Sequence, residues 1–392
     1  MADGNITIAD LLLWQVGFVL IDTENTIDES NGFVVYYARR QCAVLLHCKL
    51  NIRGCIAAMQ PIAVIFTGGT ICCRTDDRGT RHSDAAQIGY LLTEEYHKAH
   101  GDGQPFLTQM PMDSLSENLQ PMHWDIMLDT MRKIDVLAVS GIIIAHGTDS
   151  LAETAAMLSC ALLGFSLPVV LVSAHTPPDQ EYTNAHSNFA AAVAMIQKGL
   201  PCGVWVIYEN LDGVVYLHHA ARLRACANES NEFFSRDMQP CAAVEIAPLQ
   251  PAPWHDAIPM EHMRPFAQQP GVLLLRPYVG QRYDHVVLDH VAAVVHGTYH
   301  SETANSCGNS PYSVRYLLQK TKARQIPCFL APCNRATQQY DSAENLVSAG
   351  ITPLTDASVW LAYGAAMVGI ALGYTGDVLC RWVVKICQRF ER

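Results

Sequence analysis

Residues 62–71 read IAVIFTGGTI, five apolar residues that run without a break into a Thr-Gly-Gly-Thr turn. An unbroken apolar run bounded by turn residues is the pattern of a strand buried on both faces, as in a parallel sheet. The pattern recurs at Ile142–Ala145 (IIIA) and Val169–Val172 (VVLV), with helical candidates between and after these runs at His123–Lys133, Leu151–Leu163 and Asn188–Lys198. Strand and helix alternating in this way predict an α/β, doubly wound architecture. Beyond a stretch containing Pro248, Pro251, Pro253 and Pro259 the alternation resumes. Strands are predicted at Val272–Leu275, Val291–Val295 and Cys328–Leu330, and helices at Tyr312–Lys320 and Leu361–Leu372. Prolines lack the donor that a strand or helix interior needs, so the proline-rich stretch reads as a linker. The expected organisation is a larger N-terminal doubly wound α/β domain over residues 59–246 and a smaller C-terminal one over 265–392. A Pro-rich linker, 247–264, joins them, and residues 1–58 form an N-terminal extension without an interpretable motif.

Composition narrows the function classes. Half of the 392 residues are apolar and 16% are charged, so there is enough apolar surface to offset the entropy of ordering the chain. Twenty-six Lys and Arg against 37 Asp and Glu give a net charge of −11. An acidic chain without a basic run lacks the electrostatic footprint of a nucleic-acid binder or of a protein held on an anionic membrane. A small molecule is the expected partner. The apolar run Leu11–Ile21 contains Gln15 and follows Asp3 and Asp10 with no Lys or Arg before it, whereas a signal peptide wants a positive start and a membrane span about 20 apolar residues. A cytoplasmic location is the default expectation. The 14 cysteines include no CxxC and read as small buried hydrophobes in a reducing compartment. The 16 histidines are scattered; His218 and His219, as strand neighbours, point to opposite faces, and His82, His97 and His100 read as solvated loop residues. No metal or cofactor is expected.

Ligands of open α/β sheets bind beyond the carboxyl ends of the strands. Two segments there carry chemistry. In Thr67-Gly68-Gly69-Thr70 a glycine pair permits a sharp turn and a close backbone approach between two hydroxyls. His146-Gly147-Thr148-Asp149-Ser150 places a carboxylate and two hydroxyls where a helix begins, and Glu153 follows Ser150 at the spacing of a capping box. Either segment alone reads equally as a plain turn or a helix start.

Together, TGGTI and HGTDSLAET resemble the two active-site signatures of the L-asparaginase family. Ser116-Glu117-Asn118-Leu119 is similar to that family's substrate-binding turn, commonly Ser-Gln-Asp-Met. Residues 168–177 (PVVLVSAHTP) and 184–193 (NAHSNFAAAV) are similar to the strand and helix that come next. Less specific likenesses continue at residues 296–303 (HGTYHSET), 340–342 and 350–353, so the resemblance spans about Met59 to Gly373. It implies hydrolysis of the side-chain amide of L-asparagine, with weaker action on L-glutamine and no metal or cofactor. Thr70 is the implied nucleophile, Thr148 and Asp149 the second catalytic pair, and Ser116 and Glu117, with Asp149, the groups that hold the amino acid. A homodimer or homotetramer is implied, because the family places its active site between subunits. Residues 1–58 are then expected to be an added, loosely packed segment read from an upstream start.

The chain departs from the family pattern in three places. Counting back from Phe233, Arg224 stands where the family has a catalytic lysine, and arginine cannot give up its proton near neutral pH. The segment 71–89 lacks the tyrosine usual on the mobile loop. Trp360 and Ala365 occupy positions where a glutamate and a lysine are typical. The chain reads as a divergent member. Two further functions stay open: an amino-acid-binding sensor with impaired catalysis, and a glutamine amidase component feeding ammonia to an amidotransferase partner.

Overall fold

The computed structural model describes residues 59–224, 226, 230–245, 258–333 and 340–391. The extension 1–58 and residues 246–257, most of the expected linker, lie outside the described residues. β1 (Ile62–Phe66) leads into an antiparallel hairpin, β2 (Cys73–Thr75) and β3 (Arg81–Ser83), then α1 (Ala85–His100) and β4 (Phe106–Gln109). There follow α2 (Pro121–Arg132), β5 (Gly141–Ala145), α3 (Leu151–Ala161), β6 (Pro168–Val172), α4 (Ala185–Gln197), β7 (Gly203–Glu209), β8 (Val215–His219) and β9 (Gln239–Pro240). The second half adds β10 (Gly271–Leu275), β11 (Val291–Gly297), α5 (Val314–Ala323), β12 (Cys328–Ala331), α6 (Asp341–Ser348), β13 (Thr352–Pro353), α7 (Val359–Ala371) and α8 (Gly376–Glu391).

Among the described residues the first sheet has the order β4-β1-β5-β6-β7-β8-β9, parallel from β4 to β7 and antiparallel beyond. The second sheet, β10-β11-β12-β13, is parallel throughout. Every residue of β1, β5 and β6 is buried, because helices cover both faces. α1 and α4 pack on one face through Ile88, Leu92 and Phe189; α2 and α3 cover the other through Met127, Met131 and Leu158. α7 is apolar around its whole circumference, which is how a helix reads when protein surrounds it. Its residues share one core with α3, α8 and Ala293, Val295 and Phe329 of the second sheet, so a continuous apolar layer runs from one sheet to the other.

The strands expected from apolar runs start and end within two residues of the observed ones. α1 is a correction. His97 and His100 lie on this helix rather than in a solvated loop: His97 Nε2 meets the Gln104 carbonyl at 2.7 Å and His100 Nδ1 the Tyr96 carbonyl at 3.0 Å. Asp84 caps the start by accepting the Gln87 N–H, Gly101 closes the end, and the narrow stripe Ile88, Leu92, Tyr96 buries the inner face. His82 lies on β3, half-exposed and 2.9 Å from Asp76 Oδ2. The capping box at α3 is a second correction. Ser150 occupies the N-cap position, but its hydroxyl donates to the Ser116 carbonyl at 2.8 Å and makes no cap bond. Residues 258–264 of the expected linker are packed: the Ile258 N–H donates to the Leu163 carbonyl and the Arg264 N–H to the Ala371 carbonyl, each at 2.9 Å.

Candidate active site

β1 and β5 run side by side with Phe66 opposite Ala145, so the turns that follow them start as neighbours. The ladder continues one residue further: the Thr67 N–H donates to the Ala145 carbonyl at 3.1 Å and the Thr67 hydroxyl to the same oxygen at 2.8 Å. A third segment closes on these two. The Gly69 N–H donates to the Ser114 carbonyl at 3.0 Å, and the Ser114 N–H to the Thr67 carbonyl at 3.1 Å. The Asp149 N–H donates to Ser116 Oγ at 3.2 Å.

Glycine is what lets the three backbones touch. Gly69 has φ +75°, and a Cβ there would lie 2.2 Å from the Gly147 Cα. A Cβ on Gly147 would lie 2.4 Å from Ser116 Oγ and 3.0 Å from the Gly69 Cα. Thr70 and Thr148, 78 positions apart in the chain, are therefore each one residue from a single backbone contact.

Around that contact the predicted residues take different positions. Ser116 is buried, Thr70 and Thr148 are half-buried, and Glu117 and Asp149 are exposed. Two exposed carboxylates on turns that also carry hydroxyls and backbone amides have the chemistry to meet an ammonium group at one end of a small ligand and a polar carbonyl at the other. Arg224 is not drawn into this group by any described contact. Its N–H donates to the Phe234 carbonyl at 2.9 Å next to a bridge between Leu223 and Ser235, but its side chain is exposed and bonds to none of the described residues. Cys226, two residues on, does feel the Asp149 charge, while burial pushes its thiol pKa up. The β2–β3 hairpin begins directly after Thr70–Cys72 and is tied down by Ser83 to Asp113 and by the Thr75 N–H to Asp179 Oδ2 at 2.9 Å. Among the described residues no cluster of His, Cys, Asp and Glu has the makings of a metal site, and no helix is long and apolar enough to cross a membrane.

Glu153 was legible in the sequence only as a helix cap. Its Oε2 is buried without a bonding partner among the described residues. Burial pushes its pKa up to about 7; Arg276 opposes the shift and Asp149 adds to it. Arg276 comes from the end of β10 and lies over the Trp360 ring, 4.6 Å from its centroid, so the chain's departure at Trp360 sits in this cluster. Unfolded Glu153 releases its proton near the ordinary value of 4.5 and the folded one near 7, so the folded state binds more protons in between. Stability is accordingly highest below the unfolded pKa and is lost as pH rises through the folded one, by about 3 kcal/mol. Glu153→Gln is expected to remove this slope and to be the more stable protein above pH ~7. Denaturant unfolding across the range checks it, and parallel curves for the two proteins would contradict it.

Residues 61–251 match the family model described as Asparaginase, N-terminal. The chain is 31% identical over 221 residues to a Glutamyl-tRNA(Gln) amidotransferase subunit of Methanopyrus kandleri, covering 54% of this chain and 46% of that protein. The corresponding amidotransferase subunit of Thermococcus kodakarensis is 23% identical over 345 residues, 82% of this chain and 73% of the relative. The chain spans about half the length of most of these relatives. The crystal structure of L-asparaginase I from Vibrio cholerae superposes with a TM-score of 0.64 at 18% identity, covering 83% of this chain and 97% of that one, which establishes a shared fold.

Proposed function

Because the chain carries an asparaginase-family domain over residues 61–251, we propose that it hydrolyses the side-chain amide of L-asparagine, giving L-aspartate and ammonia. The observation that supports this reading is the backbone contact of Gly69 with Gly147, which leaves Thr70 and Thr148 each one residue from a shared point. In the proposed reaction Thr70 Oγ1 attacks the amide carbon, the C–N bond breaks, ammonia leaves, and water then cleaves the ester. A threonine hydroxyl is a poor nucleophile at neutral pH, so a neighbouring group must take its proton. Thr148 and Asp149 are assigned that work. Asp149 and Glu117 hold the α-ammonium. Ser116 Oγ already accepts the Asp149 N–H, so its own proton is left to donate to the α-carboxylate. Holding the amino acid at both ends orients the amide, the effect that makes intramolecular reactions fast. The proposed assembly is a homodimer or homotetramer in the cytoplasm.

A second reading takes glutamine as the substrate and ammonia as the product passed to a partner. The names of the curated relatives favour it. Ammonia release from asparagine, from glutamine and from buffer alone separates the two. Binding of either amino acid without turnover would instead leave a sensor, a reading that the exposed Arg224 side chain favours. Arg224→Lys is expected to raise turnover by up to roughly a hundredfold, the low end of what a positioned acid–base group contributes. An unchanged or lower rate would show that the position is not the family's lysine or that the site has adapted around arginine.

A further inference from the structure

Four side chains stand in one row across the first sheet. The register sets Phe66 against Ala145, Ala145 against Val172 and Val172 against Ile207. One residue further along each strand, Thr67, His146, Ser173 and Tyr208 are neighbours on the opposite face, about 4.8 Å from strand to strand. The rows beneath them on that face are hydrocarbon: Ile65, Ile144, Leu171 and Val206, then Ala63, Ile142, Val169 and Val204. The polar row is the last before the catalytic turns, and all four of its residues are buried.

The Thr67 hydroxyl is satisfied by the Ala145 carbonyl. The other three residues each keep a buried polar atom that makes no well-formed hydrogen bond among the described residues: His146 Nε2, Ser173 Oγ and Tyr208 Oη. Tyr208 lies near the Asn184 amide, whose NH2 donates to the Glu209 carbonyl and whose oxygen accepts the His175 N–H, so the amide keeps one hydrogen and one lone pair and its contact with Tyr208 leaves the hydroxyl room for a further partner. His146 has a defined role to fill. Its Nδ1 is 2.7 Å from the Gly147 carbonyl, which can only accept, so Nδ1 carries the proton. Burial holds the ring neutral, with its pKa near 4. Nε2 is therefore a buried acceptor with no donor among the described residues.

The second sheet shows what such an acceptor takes. His296, in the same His-Gly-Thr sequence at the end of β11, donates from Nδ1 to the Gly297 carbonyl at 2.6 Å. Its Nε2 accepts the Tyr283 hydroxyl at 2.7 Å. Among the described residues of the first sheet no protein group plays the part of Tyr283. Buried polar atoms left unmet are costly, and internal water is what commonly meets them.

We propose that a short chain of ordered water fills the row, donating to His146 Nε2 and bonding to Ser173 Oγ and Tyr208 Oη. Through it these three residues act as positioning residues that fix the His146-Gly147-Thr148 turn. The catalytic part of this inference rests on the amidohydrolase reading; the water site does not.

The test is a crystal structure of the full chain at a resolution that shows bound water, with kinetics for His146→Asn and Tyr208→Phe. The asparagine keeps a donor for the Gly147 carbonyl and removes the ring acceptor; the phenylalanine removes only a hydroxyl. Water within about 3 Å of His146 Nε2 is expected. In the variants kcat is expected to fall roughly tenfold with KM little changed, since a displaced turn costs orientation more than binding. A dry row, or a kcat unchanged in both variants, overturns the proposal. Should the unaltered protein release no ammonia, the amidohydrolase reading falls by itself. The water density beside His146 Nε2 then decides this one, ordered water upholding it and a dry row overturning it.

Discussion

Thr70→Ala is expected to lower amide turnover by a factor on the order of 10⁴ or more, the scale seen when a catalytic nucleophile is removed. Fold and ligand binding are expected to survive. Thr70 is half-buried, and its hydroxyl bonds to none of the described residues, so truncation leaves no described partner unmet. The groups proposed to hold the amino acid, Ser116, Glu117 and Asp149, come from other turns. Calorimetry on the variant with L-asparagine is therefore expected to show binding within a few-fold of the unaltered protein. If turnover persisted, the nucleophile would lie elsewhere. Loss of binding along with turnover would assign Thr70 a structural role.

The second large effect comes from the glycine contact. Gly69→Ala has two independent costs. A non-glycine residue at φ +75° and ψ 179°, a region that essentially only glycine adopts, is strained by roughly 1–3 kcal/mol. The added Cβ meets the Gly147 backbone at 2.2 Å, with no flexible side chain able to give way, and overpacking of this kind typically costs another 1–3 kcal/mol. Both the melting temperature and turnover are expected to fall sharply. Gly147→Ala is different in kind, because the nearest atoms belong to the Ser116 side chain, at 2.4 and 2.5 Å. Stability lost in Gly147→Ala is accordingly expected to return in part in the double variant with Ser116→Gly, since residues in contact are not additive. Turnover is not expected to return, because Ser116 Oγ also holds the Asp149 N–H. Independent, additive losses would show that the turns are not packed as described.

Much of the fold could be read directly because its central strands are buried on both faces, which leaves nothing but apolar residues between Ile62 and Phe66 or Ile142 and Ala145. α1 was hidden for the opposite reason: Ile88, Leu92 and Tyr96 make a stripe one residue wide among polar neighbours. Of the candidate site, the turns were legible as motifs, since hydroxyls and glycines cluster after strands. Their convergence was not, because only the parallel register of β1 and β5 brings Gly69 to Gly147. The buried polar row is not legible in the sequence for a similar reason. Each member is one polar residue at the end of an apolar run, and only the pairing of four strands makes them neighbours. Ser150 and Glu153 matched a capping box in spacing, yet a tertiary partner, the Ser116 carbonyl, took the serine hydroxyl.

The central claim is chemical: Thr70 attacks an amide held among the turns after β1, β4 and β5. Rapid acid quench of the protein during turnover with L-asparagine or L-glutamine, followed by peptide mapping, tests it most directly. An acyl ester on the peptide containing Thr70, absent from Thr70→Ala and present in Ser116→Ala at lower yield, is the predicted result. An ester on Thr148 instead, or steady ammonia release with no ester on any residue, would contradict the account.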